Sequence, residues 1–529
     1  MKFDLTKLPD DAAALKEIIA FHIEEKEKNQ ERIDYLEQMV SLLQRQIFGQ
    51  KSEKHVLPDH NQLQLFNGIE SPEPDRQASE DKIVIPSHTR KKRGRKPLPP
   101  DLPRVDVIHD IPEEEKQCEC GVELSLIGQD VSEKLDYVPA KIRVIRNIRL
   151  KYACKSCEGV EDDGPTVKIA PVPVQLLPKS IATEGLIAHL IVSKFADGLP
   201  LYRQQKIFGR LGIELSRATM ANWVVKASQQ CQPIIEHLQE EIRSGPLINV
   251  DETPYQVLNE PGRRNTSKSY MWVFKGGQEN SPALLYQYHP TRSGDVALNF
   301  LGDYQGYVQS DAFSGYERLS EKQGIRHAGC WAHARRYFVD VIKAKKKNRS
   351  KRIHPKSLAD EALLFIGQLY QIEKEAKAQN FEPQEIYQLR QEKSKPVLDE
   401  FKTWLDSKQE ITPPKGLLGK AIKYALNHWE KLIVYIEDGR LHPDNNAAEN
   451  AIRPFVVGRK NWLFAGHPNG AEAGATFYSL VETAKANGLE PYNYLRYIFE
   501  KLPLARTDEN YKNLLPQHVD REVISSTAA

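Results

Sequence analysis

The sequence predicts a multidomain α+β protein. An α/β core with a long helical stretch follows an N-terminal coiled coil, a small zinc-binding domain and a helical DNA-binding domain. Three observations point there. The chain has 529 residues, several times the roughly 100–200 residues of one domain. The period of its hydrophobic pattern changes along the chain, heptad-like at first, strand-like from Leu247 and helical again from 333 to about 437. Four of its six cysteines fall in two close pairs within one short segment.

Composition excludes some classes. Hydrophobic residues make up 40%, enough for real cores. No stretch approaches the roughly 18 unbroken apolar residues of a membrane helix. The N-terminus, MKFDLTKLPDD, lacks the apolar centre of a signal peptide. A cytoplasmic protein with no membrane partner is expected. The net charge of +2 hides local basic clusters.

Residues 1–58 are expected to form a dimerising coiled coil. Leu15, Ile19, Ile33, Leu36, Val40, Leu43 and Ile47 fit a and d positions between Pro9 and Pro58. This makes a homo-oligomer the expected assembly. Residues 59–103 form a polar linker that ends in Arg90-Lys91-Lys92-Arg93-Gly94-Arg95-Lys96-Pro97. Its Arg-Gly-Arg centre is like an AT-hook, and Arg93, Arg95 and Lys96 are candidate minor-groove contacts.

Residues 104–160 mix short β-like runs, Lys141 to Tyr152 being the clearest, with Cys118-x-Cys120, then 33 residues, then Cys154-x2-Cys157. Paired cysteines in a large cytosolic chain suggest metal rather than disulfides. Four thiolates satisfy tetrahedral zinc and leave no open position, so a structural Zn²⁺ is expected. Residues 161–244 read as helical, with segments Thr183 to Ala196, Leu201 to Leu211, and Arg217 to Gln230 capped by Ser216. The turn at Gly212-Ile213-Glu214-Leu215 gives the layout of a helix-turn-helix, with Arg217 a candidate DNA contact at the start of the third segment.

Residues 245–340 and 438–485 read as core segments, with a helical stretch at 341–437 between them and a C-terminal helical segment and tail at 486–529. Lys343 to Arg352 holds seven Lys or Arg in ten positions, which suits a phosphate backbone. Leu247-Ile248-Asn249-Val250 runs into Asp251, which should end its strand. Tyr307-Val308-Gln309-Ser310 runs into Asp311. Glu449 lies where Asn445 or Asn446 could cap a short helix that Pro454 limits. Strand ends and a helix start are where a ribonuclease H-like core gathers metal-binding acids. Clustered carboxylates take up protons unless a cation compensates. Mg²⁺ (or Mn²⁺) prefers such oxygens and keeps positions open for water and phosphate. Asp438 and Asp444 compete with Glu449 for the third position.

Together these segments resemble the insertion-sequence 66 family of bacterial transposases, from the coiled coil to about residue 500. The strings are Ser132-Glu133-Lys134-Leu135-Asp136-Tyr137 and Tyr152-Ala153-Cys154 in the zinc region, Asp251-Glu252-Thr253-Pro254, Ser310-Asp311 with Gly315-Tyr316, and Cys330-Trp331-Ala332-His333-Ala334-Arg335-Arg336. Asn445-Asn446 with Glu449 and Arg453-Pro454, Gly458 to Gly466, and Glu482-Thr483-Ala484-Lys485 continue the match. The resemblance implies that Asp251, Asp311 and Glu449 form one Asp-Asp-Glu site and that the helical stretch before Glu449 is an insertion. It implies metal-dependent cutting at the element's terminal repeats to give a 3′-hydroxyl, then direct transesterification into target DNA. Small accessory proteins of the same element are possible partners. Asn450 departs from the family, where arginine often follows the glutamate.

Arg335, Arg336, Arg453, Arg459 and Lys460 are further candidate phosphate contacts. Cys330 and His333 share one face of a helix start, and a packed structural role fits them better than a second metal site. Two other readings remain open: a DNA-binding regulator with an inactive nuclease-like domain, and a structure-specific nuclease that only hydrolyses.

Overall fold

The computed structural model describes residues 142–153, 167–169, 171–311, 313–346 and 357–526. The coiled-coil segment, the basic segment with Arg93, Arg95 and Lys96, and Cys118, Cys120, Cys154 and Cys157 lie outside the described residues. The chain divides into two compact units, residues 53–172 and residues 173–529 with 1–52.

In the smaller unit, β1 (Lys151–Ala153) pairs antiparallel with β2 (Val167–Ile169), Tyr152 opposite Lys168. The longer β-like run from Lys141 is therefore only partly a strand. Residues 142–150 have strand-like composition but no ladder partner among the described residues, and composition without a partner does not make a sheet.

The larger unit begins with four helices. They are α1 (Glu184–Phe195), α2 (Leu201–Arg210), α3 (Arg217–Gln230) and α4 (Gln232–Ser244). The hydroxyls of Thr183 and Ser216 accept from Leu186 N and Thr219 N, satisfying orphan donors at the starts of α1 and α3. Ile187, Leu190, Ile191, Met220, Val224, Ile234 and Leu238 join the same hydrophobic core as the sheet that follows.

That sheet has six strands. They are β3 (Leu247–Val257), β4 (Lys268–Gln278), β5 (Ser281–His289), β6 (Gly306–Gln309), β7 (Ile325–Ala328) and the short β8 (Phe464–Ala465). The order is β5-β4-β3-β6-β7, with β8 beside β3. β3, β4 and β5 form an antiparallel meander, and β6, β7 and β8 run parallel to their neighbours. Ile248, Val250 and Met271 through Phe274 are fully buried, as expected where a strand is covered on both faces. The tight β4–β5 connection uses Gly277 at φ +89, where a Cβ would meet Ser281 O at 2.8 Å.

Three helices cover this sheet. α4 packs on β4 and β5, and two helices beyond the sheet's long strands, α10 (Asn446–Trp462) and α11 (Pro468–Ala486), pack on β3 and β4 and on β5 respectively. β5 is an edge strand, and α11 closes that edge with two hydroxyls one turn apart. Leu284 N donates to Thr483 Oγ1 at 3.0 Å and Tyr286 N to Ser479 Oγ at 2.8 Å. An uncovered edge would be a template for other chains.

Between β5 and β6 lies α5 (Asp295–Leu301). After β7 come α6 (Trp331–Lys346), α7 (Leu358–Ala378), α8 (Lys395–Ile411) and α9 (Leu417–Asn427). They share a second core, in which Trp331, Phe338, Ile366, Phe401, Leu405 and Ile422 are buried. A π-helical turn, Arg390–Ser394, brings Arg390 into it almost fully buried.

Two local expectations are corrected. Asp251 does not end its strand, because β3 continues to Val257 in register with β4. What ends near Asp251 is the pairing with β6, whose last partner is Asn249. Pro254 is tolerated because that side of β3 has no ladder partner again until Gln256 meets Phe464. Nor does Pro454 limit a short helix. α10 runs through it to Trp462. Ala448, Ala451, Ile452, Phe455 and Gly458 bury one face of α10, and that packing outweighs the roughly 3 kcal/mol an interior proline costs.

Candidate active site

β3 and β6 run parallel with Asn249 opposite Gln309. Two residues beyond that pair, on either strand, stand Asp251 and Asp311. Three buried amides hold this end of the sheet to the start of α10. Asn249 Nδ2 donates to Gln309 Oε1 and to Asn445 Oδ1, both at 3.0 Å. Asn445 Nδ2 donates to Val250 O at 2.8 Å. Gln309 Nε2 donates to His442 O at 2.7 Å and Gly329 O at 3.2 Å. Asn445 occupies the cap position of α10, but its side chain makes no cap bond and serves this network instead. Glu449 follows one turn later, its N–H on Asn445 O at 3.1 Å. Fully paired buried amides of this kind fix a geometry because an unpaired one costs about 1–3 kcal/mol.

The three predicted acids act on one another. Burial, first, and then the charge of Glu252 push the Asp251 carboxyl up to about 8, against a bond from Glu252 N–H; the charges of Asp311 and Glu449 raise it further. Glu449 Oε1 is buried without a hydrogen-bond partner. Asp311 Oδ1 accepts from Phe313 N at 3.0 Å. An all-oxygen donor set that holds its proton this tightly, with one orphaned buried oxygen, fits a hard divalent cation. Asp438 pairs with Arg440, and Asp444 accepts from Tyr370 and from Asn446 N–H. Neither is among the charges acting on Asp251.

His333 lies beside Glu449, Nε2 3.9 Å from Oε1. Burial, first, and the Arg336 charge lower its pKa, against the charges of Glu449 and Asp311, and its Nδ1 is buried without a partner. Cys330, His333 and Glu449 bring one ligand atom each within 4.8 Å of one another. Burial pushes the Cys330 thiol up to about 12. Its sulfur accepts from Asn445 N at 3.2 Å, which joins the starts of α6 and α10.

Of the candidate DNA contacts, Arg217 is exposed at the start of α3, Arg335 and Arg336 on α6, and Arg453 and Lys460 on α10. Arg459 is half-buried, with Nη1 3.3 Å from Thr253 Oγ1. The α6 and α10 cations thus continue from the helix starts that carry His333 and Glu449.

Sequence reasoning missed Glu252, Arg292 and Tyr316. Glu252 lies one residue past Asp251, on the opposite side of the strand, with its side chain 1% exposed. It accepts from Tyr316 OH and pairs with Arg292. Adjacency to Asp251 was an available signal for Glu252, and Gly315-Tyr316 for Tyr316. A lone arginine in a loop carried none.

Comparison with known proteins gives a family for this arrangement. The model described as "Transposase IS66 family" matches residues 179–473, more than half of the chain. The chain belongs to the IS66 transposase family. Three further models of the family match this transposase. "Transposase C of IS166 homeodomain" covers residues 35–107, "zinc-finger binding domain of transposase IS66" covers 115–158 and "IS66 C-terminal element" covers 479–517. Two relatives from Sinorhizobium fredii (strain NBRC 101917 / NGR234) carry the descriptions "Uncharacterized protein y4jD" and "Uncharacterized protein y4qI". The first is 35% identical over 92% of the transposase and 95% of the relative, the second 31% over 97% and 94%.

The zinc-finger match encloses all four paired cysteines and supports a structural zinc. Elemental analysis of the purified transposase should find one zinc per chain. Cys154→Ser should lower that ratio towards zero, and a ratio unaffected by Cys154→Ser would remove this cysteine from the ligand set. The homeodomain match covers the end of the expected coiled coil and the basic linker, and with the zinc-finger match supports DNA as a partner. No helix among the described residues is long and apolar enough to cross a membrane.

Proposed function

We propose that this transposase cuts DNA at the terminal repeats of its own element and joins the ends to target DNA, with Asp251, Asp311 and Glu449 as the residues that hold Mg²⁺ or Mn²⁺. The observation that carries this is the buried amide network that joins β3 with Asp251, the end of β6 two residues before Asp311, and the start of the helix with Glu449; the charges of the other two acids acting on Asp251 accord with it. An antiparallel meander extended by two parallel strands off its first strand, with acids at this end, supports a ribonuclease H-like core.

Bound divalent cations would supply activation of the attacking hydroxyl and neutralisation of charge at the phosphorus. The protein's own groups supply the geometry. Asp251 offers oxygens from β3, Asp311 from just past the end of the neighbouring β6, and Glu449 from α10. Asn249, Gln309 and Asn445 hold the two strands and the helix in register. In the first step water displaces the bridging 3′-oxygen and leaves a 3′-hydroxyl. In the second that hydroxyl attacks a target phosphodiester and displaces its 3′-oxygen. Each step exchanges one P–O bond for another, so no covalent bond to the protein is required.

In the same reading α1 to α3 bind DNA as a helix-turn-helix, with Arg217 at the start of α3. The exposed cations of α6 and α10 follow the phosphate backbone, and residues 1–58 associate two or more chains. The test incubates the full-length transposase with labelled element ends, target plasmid and Mg²⁺. Joined products are expected, and none with Asp311→Asn. Cleavage without joining would instead make this a hydrolytic nuclease, and binding with neither would make it a regulator.

A further inference from the structure

Arg292, in the loop between β5 and α5, is held more firmly than a surface arginine. Its guanidinium lies over the Phe313 ring, 3.6 Å from the centroid. It is ion-paired with Glu252, whose other carboxylate oxygen accepts from the buried Tyr316 hydroxyl. Phe313 is tied to the acidic centre through its own N–H on Asp311 Oδ1, at 3.0 Å. Ring, carboxylate and phenol therefore fix both the plane and the position of the cation.

The pair is not a closed one. Glu252 is 1% exposed at its side chain, but Arg292 is 36% exposed. Nη2 stands 4.0 Å from Asp311 Oδ2, and Nη1 makes no hydrogen bond among the described residues. A guanidinium has five donors in a planar fork. Glu252 takes donors from Nε and Nη2, leaving an edge beside Asp311. Planar, charged and preorganised donors of this kind match the non-bridging oxygens of a phosphate. They cost no reorganisation when charge builds up there.

We propose that Arg292 is a phosphate-binding catalytic residue, whose edge beside Asp311 contacts a non-bridging oxygen of the scissile DNA phosphodiester. Glu252, Phe313 and Tyr316 are its positioning residues. The assignment rests on reading the acids as the cleavage centre. Before DNA arrives Arg292 acts as a partial counter-ion to Asp311. Cations held by the acids would take over that role and leave the guanidinium edge for substrate.

The test uses the full-length transposase in Mg²⁺ and a labelled duplex of its element end. A second duplex carries a methylphosphonate at the scissile position alone, each diastereomer separately. On the ordinary phosphate, Arg292→Ala should cut about 100-fold more slowly than the unsubstituted protein, and Arg292→Lys about tenfold. With the neutral linkage that removes the contacted oxygen's charge, all three should cut at similar rates, however slow. Equal losses on both substrates would make Arg292 purely structural and overturn the assignment, as would no loss on the phosphate. Should Arg292→Ala leave Glu252 buried and uncompensated and fail to fold, Arg292→Lys, which keeps the charge, decides by the same ratio. Asp251→Asn is the control. If it cuts normally, the cleavage reading fails and Arg292 with it. If it is inert while both Arg292 variants cut normally, only the Arg292 assignment fails.

Discussion

Asp251→Asn is expected to abolish cutting and joining, by at least about 1,000-fold, and yet to make the protein without magnesium more stable in alkali. The sign follows from the carboxyl being pushed from 3.8 up to about 8, by burial first and then by Glu252 and the other acids. Below about 4 both folded and unfolded chains hold this proton and nothing is lost. Between about 4 and 8 the unfolded chain releases it while the folded one keeps it. Stability therefore falls as pH rises, and above 8 the full cost, on the order of a few kcal/mol, is present. Asparagine cannot ionise and escapes that cost. Thermal unfolding in magnesium-free buffer should show the variant and the unsubstituted protein close together at acid pH and the variant ahead at pH 8.5. Mg²⁺ or Mn²⁺ should raise the midpoint of the unsubstituted protein more at pH 8.5 than at pH 6. A variant less stable than its parent at pH 8.5 would mean that Asp251 is not held under this electrostatic load.

The largest loss of stability is expected at Arg390, which carries none of the proposed chemistry itself. Its side chain is 1% exposed, and all five of its N–H donors are used. Nε and Nη2 bond the two Glu373 oxygens at 2.8 and 2.7 Å, Nη1 bonds Tyr435 O and Asp438 O at 2.7 and 2.8 Å, and Nη2 bonds Leu441 O at 2.8 Å. Arg390→Ala strands a largely buried carboxylate and three carbonyls at once. Urea unfolding should show a loss of about 3–5 kcal/mol. Arg390→Met with Glu373→Gln should recover much of it, because the stranded charge goes with the cation. A loss under about 1 kcal/mol for Arg390→Ala would show that water reaches these groups. The segment tied down here, Tyr435 to Leu441, leads into Asn445 and Glu449, so Arg390→Ala should also slow the reaction where it still folds.

Much of this was legible in the sequence because it is local. The change from helical to alternating pattern at Leu247 marks the start of β3, and Ser216 announces its cap, whereas Thr183, read as the first residue of its helical segment, is the cap of α1. Asp251, Asp311 and Glu449 stand out as residues for the same reason, each inside a short distinctive string. What assembles them is not local. Asn249 meets Gln309 across 60 positions and Asn445 across 196, and an amide in isolation does not announce its partner. The reading of Pro454 as a stop weighed backbone preference and could not weigh the apolar face that α10 buries. Asp251 read as a strand end because the run Leu247 to Val250 meets a charge there, and the pairing with β4 that carries β3 on to Val257, like the free side that tolerates Pro254, exists only once the sheet is built. Arg292 was invisible because its meaning lies in Glu252, Phe313 and Tyr316, which only the fold brings to it.

The amide bridge between Asn249, Gln309 and Asn445 also bears on what becomes of broken copies of the gene. A reading frame cut short before position 445 still encodes Asp251 and Asp311. It leaves the Asn249 amide without its partner on α10 and, with Ser479 and Thr483 gone, leaves the β5 edge open. Such a fragment carries unmet polar groups inside and a sticky strand outside. It should be cleared by proteases or precipitate rather than persist beside intact chains. Decay of the element would then be silent, each damaged copy removing its own product.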